Sequence, residues 1–206
     1  MANEVTLTAS LTVNKPSVMN SALGKSVTTL LSNMGGNFYA DGSMVVTTTA
    51  VAIPLLQVVQ PHYAFFQSNA TFNNALTQPT TTAITGAANN GSGLVRITDT
   101  AHGYQTGDVV TIAGVGGTTE ANGTWPITVI TANTFDLLGT TFANTYTTGG
   151  TALLIPSIRL RNGASGADLA QFFIGQAAIV PLLVGSTPYA ICNMTGQLLE
   201  YLLLSY

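Results

Sequence analysis

Charge is what this sequence lacks most. Asp, Glu, Lys and Arg make up 6% of its 206 residues, where about 25% is usual. The five basic residues, Lys15, Lys25, Arg96, Arg159 and Arg161, form no cluster able to neutralise a run of phosphates. That argues against nucleic acid as a direct partner. Cysteine occurs once, at Cys192, which excludes an intramolecular disulfide and a cysteine-rich zinc site. The surrounding PYAICNM alternates apolar and polar positions and predicts an inert core thiol. No apolar run approaches the roughly 18 residues of a spanning helix, so no membrane insertion is expected. The opening MANEVTLTAS has neither the basic flank nor the apolar core of a secretory signal, and predicts synthesis in a cytoplasm.

What is present is apolar and small. Apolar residues make up 46% of the chain, too many for a disordered segment. At this length about 70% of the unfolded surface can be buried. Thr, Asn, Ser, Gly and Ala stand where Lys and Glu usually cover a surface. So little charge would leave a monomer poorly guarded against association. The composition therefore predicts a homo-oligomer or a subunit of a larger assembly.

The pattern along the chain is mainly β. EVTLTASLTV alternates, with Val5, Leu7, Ala9, Leu11 and Val13 on one face, and predicts a strand that Pro16 ends. Residues 17 to 37 are read as one short helix. Val18, Met19, Ala22, Leu23, Val27, Leu30, Leu31 and Met34 recur at helical steps, with Ser17 to cap it and Gly35-Gly36 to stop it. Strands follow, with Asp41-Gly42 as a turn and Pro54 and Pro61 as breaks; HYAFFQS is a compact aromatic strand. From about residue 77 the chain turns Thr-, Asn- and Gly-rich. LVRITDT, DVVTIAG, WPITVIT and TFDLLGT then read as short strands of a small all-β unit. A more apolar run resumes after TTGGTA. There Arg159 and Arg161 alternate with Ile158 and Leu160, as on a strand with one wet face. The closing QLLEYLLLSY suits a short helix or a strand, and its length favours the strand. These shifts predict a base domain of residues 1–77 and 153–206 interrupted by an inserted module, 78–152. The alternative is one continuous β domain.

No constellation for chemistry emerges, so no catalytic, cofactor or metal residues are assigned and no enzyme is expected. His102 stands near Asp99, Thr106 and Asp108, but the stretch reads as a hairpin turn with Asx hydrogen bonds. No nucleophile faces it, since Ser92 falls in a linker. His62, after Pro61, reads as a packing or capping residue. The acids are scattered, with Asp41 and Asp168 the ones able to join others across a subunit interface. GVGG lacks the Lys-Ser/Thr and the helix of a phosphate loop and reads as a turn. Trp125, Tyr104, Phe142 and Tyr146 are candidates for a glycan-binding face, although Trp125 is favoured as a core residue. Loops 86–93, 103–107 and 116–123 are the candidates for outward recognition.

Two resemblances sharpen this reading. AHGYQTGD, GVGGTTEANGTW and ANTFDLLGT resemble a β module widespread in phage virion proteins. That module is labelled after the first catalytic cysteine half-domain (FCCH) of ubiquitin-activating enzymes. The insert contains no cysteine, and no nucleotide-binding signature stands in the chain, so ubiquitin activation is not implied. PHYAFF, RLRNGASGADL, TPYAICN and QLLEYLLLSY are similar to small proteins encoded among phage structural genes. In relatives of that kind without an insert, the YAFF strand runs almost directly into the RNGASG strand. The resemblances imply a jelly-roll-like β-sandwich base carrying a small β-barrel-like module, in an oligomer for which a trimer is favoured. They further imply a structural component of a tailed-phage virion, assembled in the host bacterial cytoplasm against major capsid or tail proteins. As a capsid decoration or head fibre it would display the module outward. The alternative is a tail-associated receptor- or glycan-binding protein whose insert recognises a host-surface glycan.

Overall fold

The computed structural model describes residues 5–9, 27–31, 39–55, 63–69, 80–182 and 187–204. The strands before the glycine-rich section are β1 (Val5–Ala9), β2 (Val27–Leu31), β3 (Tyr39–Val46), β4 (Val51–Ala52) and β5 (Tyr63–Asn69). Next come β6 (Thr81–Asn89), β7 (Val95–Asp99), β8 (Val109–Ala113), β9 (Gly123–Thr131), β10 (Thr134–Leu137) and β11 (Thr151–Leu154). The chain continues as β12 (Ser157–Asn162), β13 (Asp168–Phe173), β14 (Ala177–Pro181), β15 (Pro188–Cys192) and β16 (Gln197–Leu204). A single 3-10 turn, Thr119–Ala121, is the helical element among the described residues. The protein is mainly β.

Strands β6 to β11 close into a barrel in the order β10-β7-β6-β11-β8-β9, every neighbour antiparallel. Closure removes the exposed edges that short strands would otherwise present. Alternation fills it: Val95 and Ile97 of β7, Val110 and Ile112 of β8, Ile127 of β9, and Phe135 and Leu137 of β10 are all buried in one cluster. β6 is a full strand, so residues 86–89 of the expected loop 86–93 belong to the barrel wall. It supplies Ile84 to that core and pairs with both β7 and β11.

Of the remaining strands, β1 and β2 pair in a two-stranded sheet, and the other eight form two four-stranded sheets, β13-β12-β15-β4 and β14-β5-β16-β3. Their buried side chains make a second cluster. Val46, Ala64, Phe66, Leu199, Tyr201 and Leu203 come from one sheet, and Ile158, Leu160, Phe172, Ala190 and Cys192 from the other. Phe66 and Phe172 meet across it with ring centroids 6.4 Å apart. The closing segment is the strand β16, paired along its length with β3 and β5. β12 leaves the barrel after only Ile155 and Pro156, so the two cores are joined tightly on that side.

Three expectations are corrected. Residues 27–31 of the expected helix are strand β2, paired antiparallel with β1. Val27, Thr28 and Thr29 are β-branched and stiff at χ1, which favours the pleated backbone over the helix. The rest of 17–37, together with Pro16, Pro61 and His62, lies outside the described residues. Asp41-Gly42 is no turn but the middle of β3, opposite Leu202 and Tyr201 of β16. A ladder running the length of β3 outweighs the local turn preference of two residues. Arg159 does not face water: Ser157, Ile158, Arg159 and Leu160 are all buried. One face of β12 packs on the sheet core, and on the other Arg159 pairs with Asp108 of the barrel.

Candidate functional site

The polar residues near His102 are brought together, but each is bound internally. The His102 ring is buried, and its Nδ1 accepts the Tyr104 backbone N–H at 3.0 Å. Nε2 then carries the proton and donates to the Thr131 carbonyl at 3.1 Å. Both ring nitrogens are thus hydrogen-bonded within the barrel. Tyr104 stacks on His102, and both meet Phe135 edge-on.

Asp99 ends β7 on its inward face and is buried. Its carboxylate accepts the Thr82 hydroxyl, which itself lies 2.7 Å from the Tyr104 hydroxyl. Burial pushes Asp99 above the usual carboxylate range, against the opposing pull of Thr82 and His102. Burial also raises Tyr104. The Asx reading fails for Asp99, whose carboxylate partner is a side chain of β6. It holds in part for Asp108, whose Oδ2 accepts the Gln105 N–H at 2.8 Å.

The other oxygen of Asp108 points out of the barrel. Oδ1 pairs with Arg159 Nη2 of β12 and accepts Asn193 Nδ2 at 3.2 Å. Asn193 also donates to the Ile155 carbonyl at 3.0 Å and accepts the Ser157 N–H at 2.8 Å. Gln171 of β13 donates to the Gly107 carbonyl at 3.3 Å. Loop 103–107, expected to face outward, is exposed at Gly103, Gln105, Thr106 and Gly107, and its end leads into the seam between barrel and sheets. Asp168 is held by Arg161 at 2.6 Å, with Arg159 at 3.9 Å.

At the other end of the barrel, the glycine-rich stretch is threaded against residues 143–148. Gly116 bridges to Thr148, and the Thr118 hydroxyl donates to the Asn144 carbonyl at 2.8 Å. Gly117 has φ +79, and a Cβ there would sit 2.1 Å from the Thr145 carbonyl oxygen. Only glycine meets both conditions. Glu120 Oε1 accepts the N–H groups of Ala143 and Asn144 at 2.6 and 2.7 Å. Desolvation alone would raise this carboxyl, but the backbone donors of Asn144 and Ala143 prevail and hold it at about 2. The glycines serve close backbone packing, as a turn reading requires.

The aromatic quartet divides. Tyr104 belongs to the core, whereas Trp125, Phe142 and Tyr146 are half-buried against it. Trp125 lies over Gly123 and donates from Nε1 to the Ala121 carbonyl at 2.8 Å. Expected as core, it packs against the barrel core and stays partly exposed. Cys192 is buried, donates to the Val46 carbonyl, and is pushed up to about 11 by burial. Among the described residues no three of His, Cys, Asp and Glu stand together as a metal ion would need. No helix among them is long and apolar enough to cross a membrane.

This geometry defines a class: a small closed antiparallel barrel joined to a larger all-β body. Residues 90–155, about a third of the chain, match the family described as Ubiquitin-activating enzyme E1 FCCH domain. That domain is a small non-catalytic β module. The matched segment runs from the turn before β7 to the residue after β11, so it holds five of the six barrel strands. Curated proteins offer no match to the chain.

Proposed function

We propose that this chain is a non-enzymatic structural subunit of a tailed-phage virion, in which residues 78–152 form an inserted module. On this reading the two sheets make a jelly-roll-like sandwich base that forms homo-oligomers, with a trimer favoured, and docks on capsid or tail proteins. The base displays the FCCH-like barrel outward. The observation that carries this reading is the direction of the barrel strands. The β7–β8 loop and the β11–β12 link lie at the end that meets the sheets. The β6–β7, β8–β9 and β10–β11 connections lie at the other end. Five-residue strands separate the two ends by about 17 Å. Low charge and the resemblance of PHYAFF, RLRNGASGADL and QLLEYLLLSY to phage structural proteins support the same conclusion.

Light scattering on the purified chain, followed by co-sedimentation with particles lacking it, tests this. A stable oligomer that re-associates with particles is expected; a monomer that stays in the supernatant contradicts it. A second reading, a glycan-binding tail component, is favoured by Trp125, Phe142 and Tyr146, which pack against the barrel core and stay partly exposed. Glycan binding that disappears in Trp125→Ala, with the oligomer intact, would select it.

A further inference from the structure

We infer that the Asp108–Arg159 pair is an orientation lock that fixes the barrel relative to the sheets. The inference concerns the isolated chain and does not depend on the virion reading. Four features carry it. First, the two charges come from the two regions and are withdrawn from water together, with side chains 1% and 7% exposed. Second, the remaining polar capacity is filled from both sides. Gln105 N–H and Asn193 Nδ2 complete Asp108, and Gln171 reaches the adjoining Gly107 carbonyl.

Third, the covalent link from β11 to β12 has little freedom. It is two residues long, one of them Pro156, and the Ile155 N–H is bonded to the Val109 carbonyl at 2.9 Å. Fourth, the pair is selective for one orientation: a tilt that separates Arg159 from Asp108 while the seam still covers both leaves a buried charge without its partner, which is costly. Interfaces between domains of one chain are often mobile; here the ion pair opposes that motion.

The lock also explains why both faces of β12 are buried. Ile158 and Leu160 fill the sheet core, while on the opposite face Arg159 meets Asp108 of the barrel and Ser157 is bonded to Gln171 and Asn193. The FCCH-like segment thus supplies one half of the joint through its own AHGYQTGD turn. The host sheets supply the other half through Arg159, Gln171 and Asn193.

The test uses the full chain carrying Ser92→Cys and Ile179→Cys spin labels, diluted with unlabelled protein; buried Cys192 stays unmodified. A single narrow distance distribution is expected. Arg159→Lys keeps the charge but not the planar fork, and is expected to broaden the distribution while Trp125 fluorescence and the strand content stay native. Asn193→Ala is the milder second variant, should Arg159→Lys fold poorly. Amide exchange gives an independent measure. In either variant exchange at Gln105 and Ile155 should accelerate on the order of tenfold or more, with Ile97 and Leu199 unchanged. A distribution already broad in the parent chain overturns the lock. So do an unchanged width and unchanged exchange in both variants.

Discussion

The barrel and the paired sheets are both antiparallel β structure, yet they are specified differently. The barrel buries Asp99, His102, Asp108, Thr118, Asp136 and Thr140. Its turns are fixed by side chains bonding to backbone, such as Asn90 to Ser92 and Leu94, Asn122 to Val115, and Thr140 to Val95. The sheets depend on long ladders and an apolar core, with β16 bonded on both sides and its Leu199 and Leu203 fully buried. Side chains bonded to backbone hold the barrel's turns with strict geometry. In the sheets, strands with one buried face set their register through hydrophobic alternation. The same secondary structure should thus fail in different ways when perturbed.

Truncation in the sheets should have the largest effect. Phe66→Ala empties a site with no exposure between the sheets, and should cost about 3–5 kcal/mol in denaturant unfolding. Barrel signals should follow only as far as the seam couples the two regions. Next is Gly117→Ala, which collides with Thr145 in a left-handed conformation. It should cost about 1–3 kcal/mol and raise amide exchange in residues 143–148 while the sheets keep their protection.

Glu120→Gln should have a smaller effect, about 0.5–1 kcal/mol at neutral pH once solvent screening is allowed for. The sign follows from a folded value of about 2 against an unfolded glutamate near 4.3. The contribution is complete above the unfolded value and is lost as pH falls towards 2. The variant should therefore be less pH-sensitive than its parent in that window, as acid titration of stability would read. Asp99→Asn should have the smallest effect, and of opposite sign. Burial raises this carboxyl, so its ionisation opposes folding as pH rises above the unfolded aspartate value. The amide should leave stability at pH 7 equal or slightly higher, and loss of stability there would mean that the Thr82 bond outweighs burial.

Elements whose own side chains alternate were legible in the sequence: β1, β7, β8, β9, β10 and β16 lie where the pattern predicts strands. β6 was not, because TTAITGAAN has the composition of a loop and becomes a strand only between β7 and β11. β2 was hidden by helical spacing of apolar residues, which outnumbered its β-branched signal. The seam was least legible. Arg159 alternates as a surface residue does, and its partner lies 51 positions earlier in a turn. The requirement for glycine at Gly117 is set by Thr145 and Thr147, on a connection that local pattern does not link to it. The absence of a phosphate-loop context was readable; what the glycines pack against was not.

On the proposed function, the far end of the barrel is presented outward from a particle-bound base. Imaging purified virions with a small tag inserted between Gly91 and Ser92, in the exposed β6–β7 turn, tests this most directly. The account predicts regularly spaced tag density at the outermost tip of each projection. Purified particles that carry no tag, or tag density buried against the particle wall, would contradict it.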